Sequence, residues 1–216
     1  FQADESSPAS IIFTTGSKVP PNGVQYRLGN FVSQIQQLRD KYNISPKEID
    51  LPAFPLFGLF NAAMGVTTVL PDMDFTQPAS VDPEHIIIPI QDWQITQSFG
   101  SPALWETVGK YLDESQCKLP SLKRVLSAGA PVPPRVLQRV TKAIPEDADM
   151  FTPYGATEAL PVASISGEEV LNETASKSES GRGTCVGSRF GGIQWKVIQI
   201  DDEAIKNLND VTELPS

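Results

Sequence analysis

Four short runs hold the residue types that could handle a nucleoside triphosphate. The first, Ile11-Ile12-Phe13-Thr14-Thr15-Gly16-Ser17-Lys18, reads as a buried strand that opens into a loop with three hydroxyls and free backbone N–H groups. Loops of this kind cradle phosphate oxygens. The run lacks the Gly-Lys-Ser/Thr of the Walker pattern, and its residues also fit an ordinary strand-to-helix turn. The second run, Phe151-Thr152-Pro153-Tyr154-Gly155-Ala156-Thr157-Glu158, supplies a flat ring, a hydroxyl and a hard carboxylate suited to Mg²⁺. The third, Ser127-Ala128-Gly129-Ala130-Pro131, has side chains small enough for a planar base to lie against the backbone. It fits a tight turn beneath a helix equally well. The fourth is Gly100-Ser101, at the end of another apolar run. Between them stand phosphate donors, a face for a base and an acid for a metal.

These runs need strands to present them. Apolar runs at 11–14, 48–54, 67–70, 94–99, 122–127 and 149–152 alternate with helical patterns at 29–42, 56–64, 83–92, 103–112 and 134–144. Residues 29–42, for instance, place Phe31, Ile35, Leu38 and Tyr42 at three- and four-residue spacing, and Gly29-Asn30 is the expected N-cap region. Pro89 is expected to interrupt the 83–92 helix. Repeated β-α-β of this kind predicts an α/β fold with a mostly parallel sheet and helices on both faces. In such sheets ligands gather at the carboxyl ends of the strands, where all four runs are expected to fall. Beyond Glu158 the pattern turns more antiparallel, with strands expected at 160–165 and 193–200. The division expected is a nucleotide-binding subdomain at 1–165, an exposed loop at 166–184, and the start of a smaller β-rich subdomain at 185–216.

Composition narrows the function classes. The chain has 216 residues, 40% hydrophobic and 20% charged, enough for a packed core. Its net charge of −9 disfavours nucleic acid, whose backbone demands a basic surface. Two cysteines far apart, Cys117 and Cys185, and the lone His85 make no zinc spacing; free thiols in a reducing cytoplasm are expected. His85 reads as a surface residue at a helix start, and Trp93, Trp105 and Trp195 as packing. No run of apolar residues is long enough to span a membrane. The absence of an initiator Met and the polar residues at both ends suggest a segment of a longer protein.

Phe-Thr-Thr-Gly-Ser at 13–17, Ser-Ala-Gly-Ala-Pro at 127–131 and Tyr-Gly-Ala-Thr-Glu at 154–158 occur in an order that resembles the central part of the adenylate-forming enzymes. These are the acyl-CoA synthetases, luciferases and peptide-synthetase adenylation domains. Strings at 50–55, 67–73, 99–104 and 151–161 are similar to the olefin-pathway β-lactone synthetases. The resemblance implies ATP-dependent activation of a small carboxylic acid, fatty or β-hydroxy, to an acyl-adenylate with release of pyrophosphate. ATP and Mg²⁺ are the implied cofactors, and CoA is one implied acceptor. It places Thr14, Thr15, Gly16 and Ser17 on the β- and γ-phosphates, Gly129, Ala130 and Pro131 along adenine, and Tyr154 with Gly155 stacked on it. Thr157 then touches the α-phosphate and Glu158 ligates Mg²⁺, with Phe57, Phe60, Gly100 and Ser101 around the acyl group.

The family loop usually runs Thr-Ser-Gly-Ser/Thr-Thr-Gly-x-Pro-Lys-Gly. Here Lys18 replaces a hydroxyl, Val19 a glycine and Asn22 the lysine. Two readings follow. Lys18 supplies the missing cation from the other side of the loop, or phosphate binding is weakened and the chain is a non-catalytic nucleotide- or acyl-binding module. An α/β scaffold without a ligand is the third. The family's ribose-binding aspartate and its lysine-bearing C-terminal domain do not occur within these 216 residues, so a full catalytic cycle is not expected of this chain alone.

Overall fold

The computed structural model describes residues 3–14, 21–200 and 205–214. Its first element is not part of a parallel sheet. Strand β1 (Pro8–Phe13) pairs antiparallel with β2 (Gly23–Arg27), Phe13 opposite Gly23 and Ser10 opposite Tyr26. The strand expected to be buried at 11–14 is therefore one arm of a two-stranded hairpin, with Ile11 and Phe13 largely exposed. Its β-branched and aromatic run satisfies a pleated edge as well as a core, which is why composition misread it. A lone hairpin is marginal in water. This one is held through Tyr26, buried against Phe31 at a ring separation of 5.2 Å, and its hydroxyl donates to the Thr157 carbonyl at 2.5 Å.

Helix α1 (Leu28–Tyr42) follows directly. Its cap is Arg27, whose backbone N–H donates to the Asn30 carboxamide oxygen at 2.8 Å. Then come β3 (Ile49–Pro52), α2 (Pro55–Met64), β4 (Thr67–Thr68), α3 (Glu84–Asp92), β5 (Gln97–Gly100), α4 (Pro102–Ser115), β6 (Arg124–Ser127), α5 (Pro134–Ala143), β7 (Asp149–Ala156) and β8 (Ala159–Ser166). Helix α3 continues through Pro89, because Ile86, Ile87 and Ile90 are all buried and their packing outweighs one lost backbone bond.

The main sheet has seven strands in the order β4-β3-β5-β6-β7-β8-β9, with β9 at Ser188–Arg189. The first five are parallel; β8 pairs antiparallel with β7, and β9 antiparallel with β8. Chain order reverses at β3: the chain steps outward to β4, then returns to β5 on the other side. Such a switch point parts the covering helices and leaves a crevice.

Alternation along the strands sorts two cores onto the two faces. Leu51, Val125 and Met150 pack with Ile86, Trp105, Leu137 and Val140 from α3, α4 and α5. Phe99 and Leu126 pack with Tyr42, Met64 and Phe190, under α1 and α2. Of the three tryptophans only Trp105 is core; Trp93 and Trp195 are 62% and 47% exposed.

Two expectations for the second half are corrected. Residues 167–182, expected as part of an exposed loop, form successive α- and π-helical turns. Ser166 caps them by accepting from the Glu169 N–H at 3.1 Å, and Val170 and Leu171 pack on the core. Residues 193–200 form no strand; one bridge, Ile198 to Glu213, is what pairs there.

Candidate active site

A cavity of about 1120 Å³ opens at the carboxyl ends of the parallel strands and runs down the α1/α2 face of the sheet. It lies at the switch point, between the ends of β3 and β5. Gly129, Ala130 and Pro131 form one wall, just after β6, and all three are exposed. Gly129 holds φ +97°, a left-handed conformation that favours glycine, and an added Cβ there would meet nothing within 4 Å. Its open side faces free space. Tyr154, 53% exposed on β7, Gly155 and Thr157 supply another wall. Phe57 and Phe60 of α2 and Ser101 at the start of α4 complete it. Nine of the residues singled out in the sequence thus meet at one cavity.

Gly100 does not. It is buried under α4, where a Cβ would stand 2.8 Å from both Leu104 Cδ2 and Trp105 Nε1; packing explains it. Gly155 also has a packing reason, since a Cβ would fall 2.7 Å from Leu160 Cδ2 and 2.8 Å from the Ala159 carbonyl. Ser101 lines the cavity, but its hydroxyl caps α4, accepting from the Leu104 N–H at 3.2 Å. Glu158 is exposed in the tight turn joining β7 to β8, beside Thr157. Thr14 sits at the end of β1, off the main sheet, so its place after a parallel strand is corrected. Its N–H donates to the Asn22 carbonyl at 2.9 Å, and its hydroxyl accepts from the Asn22 N–H at 3.1 Å. Thr15, Gly16, Ser17, Lys18 and Val19 lie outside the described residues.

The segment at 167–182 contributes Val170, Thr174, Ala175 and Ser178 to the cavity, a helical spacing legible in hindsight. Sequence reasoning also missed the closed end. Asp50 sits there on β3, 2% exposed, in a run that otherwise reads as an apolar strand. Its Oδ2 accepts from Asn61 Nδ2 at 2.7 Å, and the same Asn61 nitrogen donates to Thr68 Oγ1 at 2.9 Å. A buried acid inside an apolar strand was the available signal.

Burial raises the Asp50 carboxyl to about 6, with Asn61, Gln97 and Arg124 holding it back and Glu48 adding to the rise. From an ordinary 3.8, that makes the charged form cost the fold about 3 kcal/mol. Between those two values the folded chain keeps a proton that the unfolded chain has lost. Stability from this group therefore falls as pH rises through the window, and the cost is complete above it. Asp50→Asn is expected to raise stability at pH 8 relative to wild type, with the difference closing below about pH 4. Urea unfolding at both pH values checks this.

The geometry suits a nucleotide. Small residues and an exposed ring face a shared opening, and a lone carboxylate beside it fits Mg²⁺, which takes one or two carboxylates plus phosphate oxygens and water. Among the described residues there is no cluster of three or more His, Cys, Asp or Glu that would hold a metal by itself. No described helix is long and apolar enough to cross a membrane.

The comparisons with known proteins agree with the geometry. The family model described as AMP-binding enzyme matches residues 1–212. An olefin beta-lactone synthetase of Xanthomonas campestris pv. campestris is 45% identical over 206 residues, which is 95% of this chain and 36% of the relative. One from Stenotrophomonas maltophilia is 47% identical over 199 residues, 92% of this chain and 35% of the relative. The chain thus spans about a third of the length of these relatives. Among solved structures, the o-succinylbenzoate CoA synthetase of Bacillus subtilis in complex with ATP and magnesium ion aligns at a TM-score of 0.71. That match has 20% identity and covers 95% of this chain and 40% of the other. VinN aligns over the whole chain and 49% of its own, at a TM-score of 0.73 and 17% identity. With the switch-point cavity, its small-residue wall and a family match over nearly the whole sequence, this chain belongs to the AMP-binding enzymes, the adenylate-forming family of synthetases and ligases.

Proposed function

We propose that this chain carries the nucleotide and acyl sites of an ATP-dependent synthetase that activates a β-hydroxy fatty acid. The observation that supports this best is the meeting of Gly129, Ala130, Pro131, Tyr154 and Thr157 with the apolar Phe57 and Phe60 at one cavity. Adenine lies between the Gly129–Pro131 wall and the Tyr154 ring. The acyl chain runs down past Phe57 and Phe60. Thr157 donates to the α-phosphate. Glu158 would hold Mg²⁺, which when bound would supply positive charge against the phosphates.

The hairpin's tie to the site supports a phosphate role for the loop residues. Tyr26 is tied to the Thr157 carbonyl, and Asn22 stands four residues away along β2, about 14 Å at strand rise. In this reading Thr15, Gly16 and Ser17 hold the β- and γ-phosphates and Lys18 supplies the cation. One carboxylate oxygen attacks the α-phosphorus, the bond to the bridging oxygen breaks, and pyrophosphate leaves with the electron pair. The protein's part is alignment and charge stabilisation.

A β-hydroxy acid is favoured because the relatives at 45% and 47% identity are named β-lactone synthetases, and a β-lactone is the internal ester of a β-hydroxy acid. The altered loop at Lys18, Val19 and Asn22 favours a second reading, a binding module with weakened phosphate contacts. Hydroxylamine trapping separates the two. An activated acid gives a hydroxamate in the presence of Mg-ATP; a module gives none. The nucleotide placement has its own check. Mg-ATP is expected to raise the melting temperature, and Tyr154→Ala to remove most of that rise through a stacking loss of about 1–3 kcal/mol. An undiminished shift in the variant would place adenine elsewhere.

A further inference from the structure

The cavity is graded from mouth to floor. Its middle is apolar, with Phe57, Phe60, Phe99 and Leu126, while its closed end is lined by Gln34, Asp50, Asn61 and Gln97. Asp50 Oδ1 and Gln34 Oε1 are fully buried and have no hydrogen-bond partner among the described residues. Their residues are only 2% and 8% exposed. Asn61 fixes the other Asp50 oxygen, and the Gln97 oxygen accepts from Arg124 Nη1 at 3.3 Å. Beyond the contact of the Gln97 carboxamide with the Asp50 carboxylate, the floor therefore shows two acceptors that a ligand's donor can serve, since a buried acceptor left unpaired is costly.

We infer that the floor is a subsite for a hydroxyl group carried by the acyl chain far from its reacting carboxylate, its one proton donated to Asp50 Oδ1, with Gln34 lining the same floor. The inference rests on the acyl-binding reading above and adds to it a second polar requirement, distinct from the β-hydroxyl. Gln97 and Ser101 are four residues apart along the strand and its end, so floor and mouth are about 13 Å apart. A β-hydroxyl beside a carboxylate at the mouth cannot reach that depth. A neutral hydroxyl suits the floor better than an ammonium, because the way to it runs through the apolar middle of the cavity, where stripping water from a cation is costly. Charge on Asp50 strengthens a hydroxyl contact, so the subsite binds best when Asp50 has lost its proton; Arg124 and Glu48 are the charged groups that set this point.

Calorimetric titration with dodecanoic acid and its ω-hydroxy derivative, alongside hydroxamate trapping with both, tests the assignment. Wild type is expected to bind the ω-hydroxy acid about tenfold more tightly. In Asp50→Ala its affinity is expected to fall to that of dodecanoic acid, and in Gln34→Ala the preference is expected to shrink. Melting curves identify a variant that fails to fold, and the other variant then carries the test. Equal affinities in wild type, or a preference kept in both variants, would overturn the subsite while activation of dodecanoic acid left the proposed function standing. Tighter binding of the ω-amino acid would overturn the choice of hydroxyl. Failure of both acids to bind or be trapped would overturn the subsite, and failure of 3-hydroxydodecanoic acid as well would sink the proposed function.

Discussion

Arg124→Met is expected to cost the fold about 3–5 kcal/mol at neutral pH, the largest stability loss anticipated here. Arg124 and Glu48 are 5% exposed each, and the guanidinium meets both Glu48 oxygens across 76 residues of chain. Burial pushes the Glu48 carboxyl up. Arg124, the Ser45 N–H at 3.0 Å and Lys123 outweigh it and hold the group below its ordinary value. Wild type therefore gains stability above the unfolded value of 4.5 and loses it as pH falls through the lower folded value. Without Arg124 the sign reverses. Glu48 becomes a buried acid facing the half-exposed Lys123 at 3.7 Å in place of a buried guanidinium, so the variant recovers stability as acid protonates it. The double change Glu48→Leu with Arg124→Met is expected to recover part of the loss, because no buried charge is left unpaired, while the Ser45 N–H, the Gln97 oxygen and the Asn43 carbonyl still lose a partner. Urea titrations at pH 5 and 8 measure all three proteins. A loss in the single variant that is no smaller at pH 5 would contradict the pairing account.

Glu158→Gln should act on activity and not on the fold. Glu158 is exposed in a tight turn, so its stability effect is expected to stay within about 0.5 kcal/mol. The amide keeps the shape and removes the charge that would hold Mg²⁺. Acid-dependent exchange of pyrophosphate into ATP is expected to drop about a hundredfold or more, with partial recovery at high Mg²⁺. Exchange at wild-type rate would remove Glu158 from the metal's coordination.

Much of the central architecture is legible from periodicity. The β-branched and Leu-rich runs at 94–99 and 122–127, each followed by a helical pattern, became β5-α4 and β6-α5, and the small residues after β6 landed on the cavity wall. Local sequence failed where two structures share one composition. Ile11-Ile12-Phe13 fits a buried strand or a hairpin arm, and only the pairing with Gly23–Arg27 decides. Residues 167–182 are polar, yet Val170, Thr174, Ala175 and Ser178 fall on one helical side against the cavity; polarity hid the spacing. Asp50 was missed because it interrupts an apolar run by one residue, and its partner Asn61 stands eleven residues away in the next helix. That contact exists only once β3 and α2 fold against each other.

Under the proposed function, a carboxylate chain and a nucleotide lie end to end in the cavity at the switch point of the parallel sheet. The most direct test is ATP–pyrophosphate exchange on the full-length protein, with β-hydroxy fatty acids supplied one at a time. The account predicts label entering ATP only when an acid is present, and a sharp fall in that rate in Tyr154→Ala. No exchange with any acid, in a protein whose melting temperature still rises with Mg-ATP, would contradict it and leave a nucleotide-binding module in its place.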